Sequence, residues 1–313
     1  MELPRDLLRT LVAAVDAGTL DGAAHALALT PSAVSQRIRA LERQLGRVVL
    51  TRTRPVRPTP DGTVLLRLGR QVALLEHEAL AELGAEQGTA VMRLGVNADS
   101  LAGWFLPAVA AVASAHDVVV ELHREDQERT AALLESGTVM GAVTSQADPV
   151  PGCVSSPIGG MRYVAAASRA FAERWLPLGG TADELALAPY VDFDDSDVLQ
   201  GRHLAARGVV GSPPRHLVSA SAEFRRAIEL GLGWGLLLPS QLDDAVFVVL
   251  DGDPIDVPLH WQRWNLASTL LDAMTDAVVA AAADATDIVP IAARRVRPAA
   301  SRGSAPRGPQ PAP

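Results

Sequence analysis

From Met92 onward the chain alternates strand-like apolar runs with helical ones, and it does so in two rounds. The first round reads as strands at 92–98, 118–124 and 140–145, with helices at 104–115 and 128–136 between them. The second reads as strands at 162–167, 190–193, 216–220, 234–238 and 247–250, with helices at 197–206 and 221–230. Strands that alternate with helices must bury both faces of a largely parallel sheet, so an α/β layer architecture is expected. Two rounds imply two lobes.

Ahead of that region the pattern is purely helical. Three short helices are predicted at 7–16, 20–27 and 31–44. Thr19 and Thr30 stand where N-cap hydroxyls satisfy first-turn amides, and Pro31 falls at the first helical position, where no amide is needed. Gly46 lies just beyond the third helix, where a left-handed cap is expected. After a Pro-broken stretch at 52–60, residues 61 to about 86 form a Pro-free helix with Leu65, Leu68, Val72, Leu75, Ala79 and Leu83 at steps of three and four. A helix of about 25 residues is roughly 38 Å long. That is too long to bury its stripe on a small N-terminal domain, so the stripe packs either on the chain's own larger domain or on a second copy.

Charge is distributed unevenly. The net charge is -8, yet residues 30–58 hold seven Arg and one Glu, whereas residues 91–292 hold 26 acids and 12 Arg. A basic island on an acidic protein marks a local phosphate-binding face, because DNA affinity follows clustered cations rather than whole-protein charge. The 48% apolar and 20% charged content is that of a folded globular protein, while the Pro-, Ala- and Arg-rich stretch 293–313 is expected to be disordered. The single cysteine, Cys153, can form no internal disulfide or thiolate metal pair and suits a reducing cytosol. The N-terminus lacks the apolar stretch of a signal peptide, and no apolar run reaches the roughly 20 residues of a membrane span. A cytoplasmic protein is expected.

The third helix carries the sharpest local signal. Val34, Ile38, Leu41 and Leu45 share one face, and Ser32, Gln36, Arg39 and Arg43 share the other. Short hydroxyl and amide groups come first and arginines later, the order that lets small groups reach base edges and long cations reach phosphates. Taken alone, an ordinary amphipathic surface helix would read the same way. Its surroundings decide: Gly18-Thr19, Ala23-Ala24, Leu27, Thr30-Pro31-Ser32-Ala33-Val34-Ser35, Ile38, Leu41-Glu42, Leu45-Gly46, Arg52 and Thr59-Pro60-Asp61-Gly62. This run of about 60 residues resembles the N-terminus of the LysR-type bacterial transcription regulators. Leu50, where the family usually has Phe, and Pro31-Ser32, where many members have Gln-Pro, are departures; the second removes a common base-contacting Gln.

The resemblance implies a winged helix-turn-helix at 1–60, a dimerising linker helix at 61–88 and a two-lobed effector domain of periplasmic-binding-protein type at 89–292. It implies a homodimer or a tetramer on an operator in double-stranded DNA, with RNA polymerase as a further partner and no membrane. The expected DNA contacts are Thr30, Pro31, Ser32, Ser35, Gln36, Arg37, Arg39 and Arg43, joined by the wing arginines Arg52, Arg54 and Arg57. Further stretches, at 50–59, 95–102, 141–144 and 261–264, are similar to the arginine- and lysine-responsive branch called ArgP or LysG. That branch implies a basic amino acid as effector and a role in amino-acid export or metabolism.

Candidate effector contacts lie at strand ends, where open α/β sheets bind ligands. Asn97, Asp99 and Ser100 follow the first strand, with free amides suited to a carboxylate. Thr144 and Ser145 end another strand of the same lobe, and Asp194, Ser221 and Glu223 follow strands of the second. Asp99, Asp126, Asp194 and Glu223 are the candidate partners for a cationic side chain or an α-amine. An Asp after a strand equally serves as a helix cap or solvated turn.

No G-x-S-x-G, phosphate-binding loop or paired-His metal motif is present, and the glycines at 231–235 precede a strand instead of following one. A non-enzymatic protein without metal or cofactor is therefore expected. The competing reading is a small-molecule receptor of periplasmic-binding type without a DNA role, which would need an export signal and has no use for the basic N-terminal segment.

Overall fold

A computed structural model describes residues 2–51, 53–85, 88–125 and 130–290. The expected tail at 293–313 and the candidates Arg52 and Asp126 lie outside these residues.

The N-terminal unit packs α1 (Arg5–Asp16), α2 (Leu20–Ala26) and α3 (Pro31–Leu45) around Leu8, Leu11, Val34, Ile38 and Leu41. Ala23 and Ala24 are fully buried, so their small side chains let α2 approach α3 closely. A two-residue ribbon follows, β1 (Leu50–Thr51) antiparallel to β2 (Arg57–Pro58), and forms the wing. The linker helix α4 (Pro60–Glu82) starts from a cap by Thr59, whose hydroxyl accepts from Gly62 N–H at 3.1 Å and donates to the Val48 carbonyl at 2.7 Å. A Cβ at position 62 would stand 1.9 Å from the Val49 carbonyl oxygen. The Thr-Pro-Asp-Gly run is thus a cap plus an enforced backbone contact.

The larger unit contains β3 (Ala90–Val96), flanked in parallel by β4 (Val118–Arg124) and β5 (Gly141–Thr144). Its helical layer is α5 (Ala98–Ser100), a π-turn at Leu101–Phe105 and α6 (Leu106–Ala115), with α7 (Thr130–Glu135) preceding β5. Two long strands then cross into the second lobe: β6 (Cys153–Ser168) and β11 (Ile255–Trp264), antiparallel to each other. Short helices α8 (Arg169–Trp175) and α9 (Ala182–Leu185), strand β7 (Tyr190–Asp192), α10 (Leu199–Ala206), β8 (Arg215–Leu217), α11 (Ser221–Glu229), β9 (Gly235–Leu237) and β10 (Phe247–Val249) complete that lobe. The chain returns to the first lobe through α12 (Thr269–Asp284), and β12 (Ile288–Val289) pairs with β6.

The two-lobed α/β architecture expected from the alternating runs is present, but its main sheet is mixed rather than largely parallel: β4, β3 and β5 pair in parallel, whereas β6 and β11 join each other and their further neighbours antiparallel. The helix after β3 begins at Ala98 rather than near Trp104, because Asn97 starts it directly from the strand end. The first half of β6, all of β11, and α8, α9 and α12 lie outside the expected elements, although α9 begins with the capping box of Thr181 and Glu184, and α12 with a Ser268 cap ahead of a stripe of Leu271, Met274, Val278 and Ala282. Pro157, Gly159 and Gly160 interrupt β6, and Pro258 with alternating polar residues masks β11, yet both strands are held by their neighbours. Against the expectation of no membrane-length run, Ala98–Ala115 is apolar enough over 18 residues, with mean hydropathy 1.3, to span a bilayer by length and composition. In the fold it is a layer helix: Trp104, Phe105, Ala108 and Val112 are buried in the first-lobe core, which includes residues of α12.

The stripe of α4 is split. Leu65 and Leu66 are buried, whereas Leu68, Leu75 and Leu83 stay exposed. The buried side faces α1, where Gly69 allows close approach to Leu8 and Val12.

Candidate functional site

On α3, Thr30 caps the helix by accepting from Ala33 N–H at 3.2 Å, a contact worth about 1 kcal/mol. Gly46 closes it at φ +68°. With Val34, Ile38 and Leu41 turned inward, Thr30, Pro31, Ser32, Gln36, Arg39 and Arg43 are exposed and Ser35 is half-buried. Gln36, Arg39, Arg43 and Arg47 line one shallow concave surface. Arg54 and Arg57 are exposed in the wing, on the loop and on β2. Arg37 is placed differently from the other candidates: it is half-buried and lies 3.5 Å from Asp6 of α1.

The second site is a cleft of about 440 Å³ between the lobes, within the size range of small-molecule pockets. The first lobe supplies Asn97 and Asp99 at the start of α5 together with Ser145, and the second supplies Asp194 and Ser221. These five sequence candidates are brought together. Glu223 is exposed on α11 outside the cleft, although Ser221 and Phe224 on either side of it line the cleft. Thr144 and Ser100 are fully buried and do not line the cleft; the Thr144 hydroxyl accepts from Gln146 N–H at 3.1 Å.

Asp99 is the polar centre of the cleft. Its carboxylate accepts from the Tyr163 hydroxyl at 2.8 Å and from the Ser221 hydroxyl at 3.1 Å, tying both lobes to one group. Burial pushes its carboxyl above the usual range, and the two hydroxyl bonds only partly offset that. The same burial, together with the neighbouring Asp99 carboxylate, raises the Tyr163 phenol well above its ordinary value. Asp197 is also raised by burial, despite accepting from the Leu199 and Phe193 amides. Asp194 accepts from Ser196 and Asp197 and shapes the turn before α10. Behind it, Asp192 pairs with Arg215 at 2.7 Å, and its carboxyl is pushed up to about 6, chiefly by burial.

Two buried amide oxygens bordering the cleft have no partner among the described residues: Asn97 Oδ1 in the first lobe and Gln200 Oε1 in the second. The Gln200 amide nitrogen already donates to the Val191 carbonyl at 3.1 Å, which fixes its oxygen as a free acceptor. Arg124, Glu125 and Arg202 add charge at the rim. Tyr163, Gln200 and Asp197 are not among the sequence candidates. Tyr163 reaches Asp99 from a strand 64 residues away, a juxtaposition only the crossover of β6 creates. The Asp-rich run 192–197 was the one local signal for Asp197. Among the described residues, no group of three or more His, Cys, Asp or Glu is arranged to hold a metal ion.

Residues 5–63 match the family described as "Bacterial regulatory helix-turn-helix protein, lysR family". The "Lysine export transcriptional regulatory protein LysG" of Corynebacterium glutamicum is 41% identical over 281 residues, covering 88% of this chain and 96% of the relative. The crystal structure of ArgP from Mycobacterium tuberculosis superposes with a TM-score of 0.82 at 42% identity, covering 90% of this chain and 98% of that one. Full-length LysG from Corynebacterium glutamicum, solved with bound effector Arg, gives a TM-score of 0.74 at 39% identity over 90% of this chain and 99% of its own.

Proposed function

This chain belongs to the LysR family of DNA-binding transcriptional regulators, and from that premise we propose that its effector is arginine or lysine, bound in the cleft between the lobes. The observation that carries the effector assignment is the surplus of acceptors there. Among the described residues Asn97 Oδ1 and Gln200 Oε1 are buried without donors, and Asp99 adds a carboxylate held by burial above its usual range in the same cleft. A buried acceptor left unmet costs free energy, so the cleft favours a ligand rich in N–H groups. A guanidinium presents five donors, and an ammonium three. The relative solved with arginine and the relative named for lysine export support the same class.

In this reading α3 enters the major groove, with Ser32, Ser35 and Gln36 toward base edges, and Arg39, Arg43, Arg54 and Arg57 on phosphates. The exposed leucines of α4 pack on a second copy, giving a cytoplasmic dimer or tetramer that presents two recognition helices. The cleft has a binding role without chemistry, and the regulated genes serve export or metabolism of basic amino acids.

The test is a thermal-shift panel of the twenty amino acids on the full chain. Arginine, lysine or both should raise Tm, with neutral and acidic amino acids inert. A response confined to a neutral or acidic ligand contradicts the effector assignment and leaves family membership untouched.

A further inference from the structure

The two sides of the linker helix α4 are held by different forces. Toward the winged helix the contact is apolar and close: Leu65 joins the N-terminal core, and a Cβ on Gly69 would come within 2.8 Å of Val12 Cγ2. Toward the first lobe of the same chain Leu74 enters the apolar core and the stem of Arg67 packs closely on Gly137, and polar groups make much of the remaining attachment. Arg70, with its side chain 8% exposed, donates to the Gly137 carbonyl at 2.6 Å and pairs with Asp16, the last residue of α1. Asp16 also accepts from Arg93 of β3 at 3.1 Å, and Arg93 in turn pairs with Glu121 of β4 at 2.7 Å. About two turns further along α4, Glu78 accepts from the hydroxyls of Ser268 and Thr269, at 2.8 and 3.1 Å, and from Leu270 N–H at 2.9 Å. It thereby sits on the N-terminus of α12, where a carboxylate is favoured by the helix dipole.

An apolar contact is kept as long as the domain is folded, because separating it exposes hydrocarbon to water. A buried ion pair gains little beyond its own desolvation cost, so a contact made of charge pairs and caps can instead be exchanged for water at lower cost, provided both partners are hydrated together. We propose that Asp16, Arg70, Arg93 and Glu78 form a releasable clamp that fastens the winged helix and linker, moving as one piece, to the first lobe of their own chain. The clamp is then the joint at which the effector domain controls the DNA-binding unit. Asp16 is its central residue, since its one carboxylate bridges α4 and β3. Removing Asp16 leaves the Arg70 guanidinium buried with a carbonyl as its only remaining partner among the described residues, and Arg70 Nε already has none.

The test compares full-length wild type with Asp16→Ala, Glu78→Ala and the double variant, which remove the accepting oxygens altogether, by small-angle scattering and by gel shift on operator DNA. Arg162→Met serves as control, since it breaks an ion pair with Asp256 that touches neither α1 nor α4. Release should enlarge the maximum dimension of the double variant and change its DNA affinity by about fivefold or more, the scale of typical coupling between sites. The control should match wild type in both readings. If Asp16→Ala fails to fold, Glu78→Ala decides alone, because Ser268 still caps α12 by accepting from Leu271 N–H. Scattering curves that superpose on wild type, with affinities within twofold, overturn the proposal. So does an equal change in the control.

Discussion

Replacing Asp99 with Asn removes one charge from the cleft while keeping its shape. The Asn oxygen can still accept from Tyr163, and its amide can donate to Ser221, whose hydroxyl is also an acceptor, so both lobes remain tied. Losing one partner of a desolvated charge pair costs about 2 to 5 kcal/mol. Asp99 is half-buried and its neighbours remain, which places the change near the lower end, about 2 kcal/mol or roughly thirtyfold in Kd for arginine. The unliganded protein should respond in the opposite sense. A carboxyl whose pKa is raised on folding costs stability above its folded pKa and nothing below its unfolded one, so at neutral pH Asp99→Asn should leave Tm unchanged or raise it. A bound cation favours the charged carboxylate, so wild-type affinity should climb as pH rises through the raised free-state pKa of Asp99 and level off above it, with Asp197 acting in the same direction. Calorimetry with arginine at several pH values, paired with thermal unfolding without ligand, reads all three effects. Arginine affinity within threefold of wild type in Asp99→Asn would refute the assignment of this carboxylate.

Three further outcomes are expected. Arg54→Ala should weaken binding to operator and scrambled DNA alike and lower the slope of log K against log salt by roughly 0.9 if one phosphate contact is lost, measured by gel shift across a salt series; Gln36→Ala should instead change operator preference. Leu68→Glu with Leu75→Glu, both on the exposed side of α4, should dissociate the assembly to monomers in sedimentation runs, and a wild-type chain that is already a stable monomer would remove the basis for this. Gly62→Ala must displace the Val49 carbonyl, so it should destabilise the winged helix by about 1 to 3 kcal/mol or more in denaturant unfolding.

The helices of the winged unit are legible because their signals are local: caps at Thr19, Thr30 and Thr59, glycines at 18 and 46, and stripes at helical spacing. The effector lobes are legible in outline because buried strands must be apolar. What escapes a linear reading is set by long-range pairing. Strand β11 contains Pro258 and polar residues yet is stabilised between β5 and β6, so its existence depends on partners 90 or more residues away. The cleft divides the same way. Asn97, Asp99 and Ser221 sit at predictable strand-to-helix turns, whereas Tyr163 and Gln200 enter only through the crossover of β6 and the packing of α10. Glu223 misses the cleft although its neighbours Ser221 and Phe224 reach it, because the inward face of α11 is fixed by Phe224, Ala227 and Ile228 and the rotation of the helix turns Glu223 to solvent.

The most direct test of the central claim sets charge against shape. Arginine and citrulline have nearly the same size and backbone groups, but citrulline is neutral at the side-chain end. Titration calorimetry of the full chain with L-arginine, L-lysine and L-citrulline should show saturable heat for at least one of the two cations and affinity for citrulline lower by about thirtyfold or more, the cost of losing one buried charge contact. Citrulline binding as tightly as arginine, or no heat with either cation, would contradict a cleft that senses basic amino acids.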